Sequence, residues 1–292
     1  VIINLVSNLD EDAQLNDIYI FNHTVAWFLR EALKKRGVKG RLVRDADLLH
    51  SMPPKADHTL VISGTGRHYV AGLHSVGIKL GVDVRGKIQK TSSGKIGMYI
   101  DADYSQWFKH FNHIFTVVKP RKTSPKKCVY AGWGADPECF YPDQDERALF
   151  LDSYRYGTHK GRFDYVYDIY KEALTETDIK IYNPSPVCNR NLRVPFTEYL
   201  NIMRKCHYYC CTQLGESGLT RIEAATCGAL LVVPAGLYRP KTMASLEHKI
   251  WNTKEELLDI LSTDVDVKLN RRRALEHSWD KVAGRVLKVF ES

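Results

Sequence analysis

The 292-residue chain lacks any apolar run near the ~20 residues that a membrane-spanning helix needs, so no helical membrane span is expected. Its opening stretch, Val1-Ile2-Ile3-Asn4-Leu5-Val6, is too short for a secretory leader and lacks a basic flank, and reads as a first strand of a cytoplasmic protein. Paired CxxC spacing is missing too. The seven cysteines, Cys128, Cys139, Cys188, Cys206, Cys210, Cys211 and Cys227, are odd in number, which argues against a disulfide framework and a zinc ribbon. Cys206, His207, Cys210 and Cys211 are close enough to suggest a metal, but Tyr208, Tyr209 and Thr212 beside them fit a buried strand better. With no internal repeat and no low-complexity tract, solenoids and disordered linkers drop out as well.

What is present is an ordinary folded composition, 44% hydrophobic and 26% charged, in a chain longer than one core usually serves. Two domains are expected, with a cleft between them. A formal net charge of +8 points to an anionic partner, whether nucleic acid, an acidic membrane face or a phosphorylated donor.

Along the chain, β-branched runs alternate with helical periodicity. Residues 1–7 predict a strand, and Ile18, Phe21, Val25, Phe28, Leu29 and Ala32 predict a helix from Ile18 to Arg36, closed by Gly37. Gly40 to Val43, Thr59 to Ser63, Lys95 to Ile100 and Ile114 to Val118 predict further strands. A polar connection around Pro142 marks a boundary near residue 143, after which Ala148-Leu149-Phe150-Leu151 opens a new apolar run. Helices are then expected at 162–175, Phe196 to Cys206, 219–227, Lys254 to Ser262 and Arg271 to Phe290, with strands at Ile179 to Tyr182, Tyr208 to Thr212 and Ala229 to Val233. This alternation predicts an α/β protein with parallel sheets and its loops gathered at one edge.

The stretch from Gly215 to Pro234 is the most informative. A glycine-rich loop opens a helix carrying Glu223, the helix stops at Gly228, and a buried strand ending in proline follows. Helix N-termini beyond the carboxyl ends of parallel strands favour phosphate, and a carboxylate a turn or so inside can accept from a ribose diol. A nucleotide is the ligand this pattern suggests; a structural helix with a solvated glutamate is the plain alternative.

Two segments, Gly-Trp-Gly-Ala-Asp-Pro-Glu-Cys-Phe-Tyr-Pro at 132–142 and Gly-Glu-Ser-Gly-Leu-Thr-Arg-Ile-Glu-Ala-Ala-Thr-Cys-Gly at 215–228, resemble the interdomain and donor-binding segments of GT-B glycosyltransferases, notably retaining family four. That family spaces two glutamates by seven residues, whereas six separate Glu216 from Glu223, so Gly215 takes the first glutamate's register and that role does not carry over. The chain also resembles the T-even phage DNA β-glucosyltransferases, inverting enzymes that glucosylate hydroxymethylcytosine in duplex DNA. The matching pieces are Asp17-Ile18-Tyr19-Ile20-Phe21, Lys95-Ile96 to Asp101-Ala102-Asp103 with Ser105-Gln106-Trp107, Ser153-Tyr154-Arg155-Tyr156-Gly157 with Lys160 and Arg162, and Leu219-Thr220-Arg221-Ile222-Glu223.

These resemblances imply a GT-B fold, two Rossmann-like domains facing across a cleft. The N-terminal domain, 1–143, would take the acceptor and 144–274 the nucleotide sugar, with a helix at 275–292 packing back on the first. UDP-glucose is the implied donor and a hydroxymethylated base in phage DNA the favoured acceptor, in the cytoplasm of an infected host. The chain is expected to act as a monomer. Leaving-group charge on the β-phosphate would be met by Arg155, Lys160 and Arg162, with Ser153, Gly218, Leu219, Thr220 and Arg221 completing the donor site and Glu223 on the ribose.

An inverting transfer needs a general base, for which Asp101 is the first candidate and Asp103 the reserve; either could instead be a cap or turn residue. Asp17, Arg67, His68 and Trp107 are acceptor-side candidates, with His74 weaker, and the Lys119 to Lys127 run supplies further positive charge that could equally be solvated surface. No cofactor is required on this reading, though the Asp101-Ala102-Asp103 spacing leaves a divalent metal open. A retaining family-four-type enzyme acting on a cell-envelope, lipid-linked or small-molecule glycan is the second expectation. A non-catalytic protein binding a nucleotide sugar or DNA is the third.

Overall fold

A computed structural model describes residues 1–18, 21–44, 47, 54–62, 95–100, 111–117, 119–120, 122, 124–125, 127–144, 147–151, 164–182, 195–212, 218–238 and 244–292. The chain divides into two units, one formed by Val1–Trp133 with Trp279–Ser292 and the other by Gly134–Ser278.

In the first unit, β1 (Ile2–Ser7), α1 (Phe21–Lys35), β2 (Lys39–Arg44), β3 (His58–Ile62), β4 (Ile96–Ile100), β5 (His113–Thr116) and β6 (Cys128–Tyr130) follow one another. The strands are all parallel in the order β2-β1-β3-β4-β5-β6. Near-continuous apolar strands such as Ile2–Ser7 are what a sheet covered on both faces demands. Helix α1 turns Val25, Phe28, Leu29 and Ala32 inward at helical spacing, and ends where Gly37 takes a φ of 74°.

The second unit holds β7 (Ala148–Leu151), α2 (Asp164–Leu174), β8 (Lys180–Tyr182), α3 (Phe196–Lys205), β9 (Tyr208–Cys210), α4 (Leu219–Thr226), β10 (Leu230–Pro234), β11 (His248–Trp251), α5 (Lys254–Ser262) and α6 (Val267–Ala274). Its strands are parallel in the order β11-β10-β9-β7-β8. The last helix, α7 (Trp279–Glu291), belongs to the first unit. Trp279, Val282, Ala283, Val286, Leu287 and Phe290 form its buried stripe. Trp279 stacks with Phe28 of α1 at 6.5 Å, Phe290 stacks on His58, and Asp280 takes a two-pronged ion pair from Arg36 at 2.8 Å.

Three expectations need correction. The single helix from Arg271 to Phe290 is two: α6 starts earlier, at Val267, capped by the Asp266 carboxylate, and breaks over 275–278, where Ser278 bridges to Ala135. Strands β6 and β11 went unrecognised, being three and four residues long with polar content. The division between units falls at Trp133/Gly134 rather than near 143, because residues 134–143 pack within the second unit: the Phe140 ring meets Phe196 and Tyr199, and the Asp143 amide donates to the Arg204 carbonyl.

Candidate functional site

Both sheets reverse strand order beside their first strand, at β1/β3 and at β7/β9. In open α/β sheets such a reversal opens a crevice beyond the strands' carboxyl ends, where ligands bind. In the second unit the strands flanking it end at Leu151 and Cys210. Leu151 is followed in sequence by Ser153, Arg155, Lys160 and Arg162, all outside the described residues. Cys210 leads through buried Cys211 and Thr212 to Gly218, where α4 begins.

Helix α4 carries Leu219, Thr220, Arg221 and Glu223, so these expected donor residues share one helix. Among the described residues no side chain caps its start, since Gly218 offers none. At its other end Gly228 has a φ of 87°, and a Cβ there would collide with the Val267 side chain. Asn270 and Arg271 of α6 fix this end: Asn270 Nδ2 donates to the Gly228 carbonyl at 2.9 Å, and Arg271 donates to the carbonyls of Thr226, Phe140 and Pro137. Among the described residues the helix is thus held at its carboxyl end and has no side-chain cap at its amino end.

Glu223 is only 3% exposed. Its Oε2 accepts from the Tyr199 hydroxyl of α3 at 2.6 Å, whereas its Oε1 is buried without a hydrogen-bond partner among the described residues. Burial pushes this carboxyl up to about 7, a rise that the Tyr199 hydrogen bond opposes. Aromatic rings enclose the pair: Phe140, Phe150 and Phe196 pack on the Tyr199 ring, and Tyr209 stacks on Phe150 at 5.3 Å. Buried carboxylates are ordinarily fully bonded, so an open oxygen here calls for a donor from outside the described structure. Arg221, also buried, sits two residues away on the same helix. A solvated glutamate, the plain alternative, does not fit this burial.

The cysteines beside the site are structural in placement. Cys206, Cys210, Cys211 and Cys227 are buried thiols, and burial raises Cys206 to about 12, which keeps it protonated. Among the described residues no group of three or more His, Cys, Asp or Glu could hold a metal ion, and no helix is long and apolar enough to cross a membrane.

In the first unit the crevice lies beyond β1 and β3. Asp17 is exposed and ends a short 3-10 turn, Leu15–Asp17, where its carboxylate accepts from the Gln14 amide at 2.6 Å in a capping box. Asp101, Asp103, Arg67, His68, His74 and Trp107 lie outside the described residues, as do Arg121 and Lys126 of the basic run. Sequence reasoning missed Tyr199, whose spacing from Phe196 reads as core packing; only the folded contact with Glu223 marks it.

Two parallel-sheet α/β units of this kind make up the GT-B fold. No family model matches the sequence, and no curated protein matches it. Solved structures do match in fold. The catalytic domain of starch synthase IV from Arabidopsis thaliana, bound to ADP and acarbose, is 9% identical with a TM-score of 0.63, over 99% of this chain and 98% of that one. The UDP-GlcNAc 2-epimerase of Methanocaldococcus jannaschii is 11% identical with a TM-score of 0.54, over 99% of each chain. MnaA of S. aureus, solved with UDP, is 11% identical with a TM-score of 0.53, over 98% of this chain and 94% of that one. At such identities the likeness is one of fold.

Proposed function

We propose that the chain is a glycosyltransferase whose second unit holds a nucleotide sugar and whose first unit presents a hydroxyl acceptor. The observation that carries this reading is Glu223: a buried carboxylate with one open oxygen, on the uncapped helix beside the crevice of the second sheet. A ribose hydroxyl would complete it, and the phosphates would meet the amino end of α4. The ADP of the starch synthase structure and the UDP of the MnaA structure belong to this ligand class.

On this reading Arg155, Lys160 and Arg162 neutralise the diphosphate as the bond from the anomeric carbon to its oxygen breaks. Ser153, Gly218, Leu219, Thr220 and Arg221 complete the donor site. Asp101, with Asp103 in reserve, takes the proton of the acceptor hydroxyl as that oxygen bonds to the anomeric carbon. Asp17, Arg67, His68 and Trp107 line the acceptor side. UDP-glucose and a hydroxymethylated DNA base are the donor and acceptor that the phage-enzyme resemblance supports.

The test is transfer of label from UDP-glucose to hydroxymethylated duplex DNA, unmodified DNA and no acceptor, in chelator and then with magnesium. Label in the modified DNA alone, falling about 10²-fold or more in Asp101→Ala, supports the inverting DNA enzyme. Substantial turnover in Asp101→Ala with glycan acceptors would replace it with the retaining reading. The M. jannaschii epimerase favours a second chemistry on the same fold, inversion at C2 of a UDP-sugar with no acceptor; proton NMR of the sugar would detect it. Failure to bind any nucleotide sugar would sink both.

A further inference from the structure

We infer that Tyr199 is a positioning residue that makes the Glu223 carboxylate read one hydroxyl of a nucleotide's ribose in preference to the other. The inference rests on the nucleotide-binding reading above and goes beyond it by naming what the site discriminates. A free carboxylate offers two equivalent oxygens to a vicinal diol. Here they are not equivalent, because Oε2 already accepts from the Tyr199 hydroxyl while Oε1 accepts from nothing. A ligand hydroxyl that reaches Oε1 gains a bond to an otherwise unsatisfied buried oxygen; its neighbour on the diol must share an oxygen already in use.

The surroundings keep the asymmetry in place. Tyr199 is partly exposed as a residue, but its hydroxyl turns inward to Glu223, and its ring is held by Phe140, Phe150 and Phe196 at centroid distances of 6.4, 6.3 and 5.7 Å. It lies on α3 and Glu223 on α4, so two helices fix the angle between carboxylate and hydroxyl. A site built around one hydroxyl rejects the analogue lacking it far more strongly than a site that merely tolerates that hydroxyl.

The experiment is calorimetric binding to the full chain at pH 8, where Glu223 is mostly ionised. UDP, ADP and GDP are screened, and the diphosphate that binds most tightly is then compared with its 2′-deoxy and 3′-deoxy forms. Wild type should lose about 10-fold or more with one deoxy form and no more than about 3-fold with the other. In Tyr199→Phe, which keeps the ring and removes the hydroxyl, the second form should fall too, so that the two losses become equal. In Glu223→Gln both deoxy forms should bind within about 3-fold of the parent nucleotide, which gives an independent reading should Tyr199→Phe fail to fold.

Equal losses with both deoxy forms in wild type would overturn the inference while leaving nucleotide binding intact. So would a Tyr199→Phe protein that weakens all three ligands alike, which is what a structural tyrosine alone would do. If none of the three diphosphates binds, the nucleotide-binding reading itself fails and takes this inference with it.

Discussion

The two units share a strand plan but bury different chemistry. Each sheet reverses beside its first strand, yet the first unit buries small neutral polar groups, Asn4, Ser7 and Thr24, while the second buries Arg221 and Glu223. Asn4 sits in β1 and its side-chain amide donates to the Pro54 carbonyl at 2.7 Å, tying sheet to loop. Among the described residues Asn4 Oδ1 and Glu223 Oε1 are both buried without a hydrogen-bond partner, but only the glutamate can carry charge. The difference teaches that the same topology recurs in both units, whereas desolvated charge marks the second, where the proposed donor would bind.

The units also differ in what closes them. Aromatic stacking of α7 on α1 completes the first, and polar threading of Asn270 and Arg271 onto backbone carbonyls completes the second. Trp279→Ala probes this contrast with the largest expected effect, about 3–5 kcal/mol for a buried indole. Hydrogen exchange should show the loss in β1, β3 and α1 and leave β9 and β10 protected. Equal loss in both units would mean that they unfold as one.

Charge burial makes a second contrast, in pH. The Glu223 pKa is raised in the folded state, to about 7, so the native protein holds a proton that the unfolded chain releases from about pH 4.5. Stability of the second unit should fall as pH rises between those values, by at most about 3 kcal/mol, and Glu223→Gln should abolish that slope. Urea titrations from pH 5 to 8 would measure it. A backbone test comes next in size: Gly228→Ala forces a side chain into the left-handed region against Val267 and should cost the second unit about 2 kcal/mol, read as a shift in urea midpoint.

The first unit should tilt the other way, and by least. His58 and His113 are lowered chiefly by burial, with Lys95 adding to both and Lys127 to His113; Asp57 and Glu291 oppose this at His58. A lowered histidine favours the neutral form, so this stability is lost as pH falls below the ordinary 6.5. Since both groups are partly exposed, His113→Gln should flatten the acid limb by well under about 1 kcal/mol. An acid limb that does not change would locate the pH dependence elsewhere.

Much of this was legible in the sequence. Glycines at 37 and 228 announced helix ends that the folded chain shows as positive-φ turns, and unbroken apolar runs announced parallel strands. Helix α4 was readable in full because its start, stop and following strand are all local signals. The Tyr199–Glu223 bond was not, since its partners lie on different helices and only packing brings them together. The break between α6 and α7 was hidden for a related reason: residues 275–278 carry no proline or glycine, and their conformation answers to Ala135, far away in sequence.

That bridge has a consequence for the order in which the molecule can be made. Ala135 and Ser278 pair where the chain leaves the first unit and where it returns, and the Ala135 amide donates to the His277 carbonyl at 2.9 Å. During synthesis the strands of the first unit emerge before the second unit, but the helix that covers them emerges only after it. The second unit is an interruption that can fold while the first waits uncovered, and its folding draws the two crossing points together, shortening the search by which α7 finds its place.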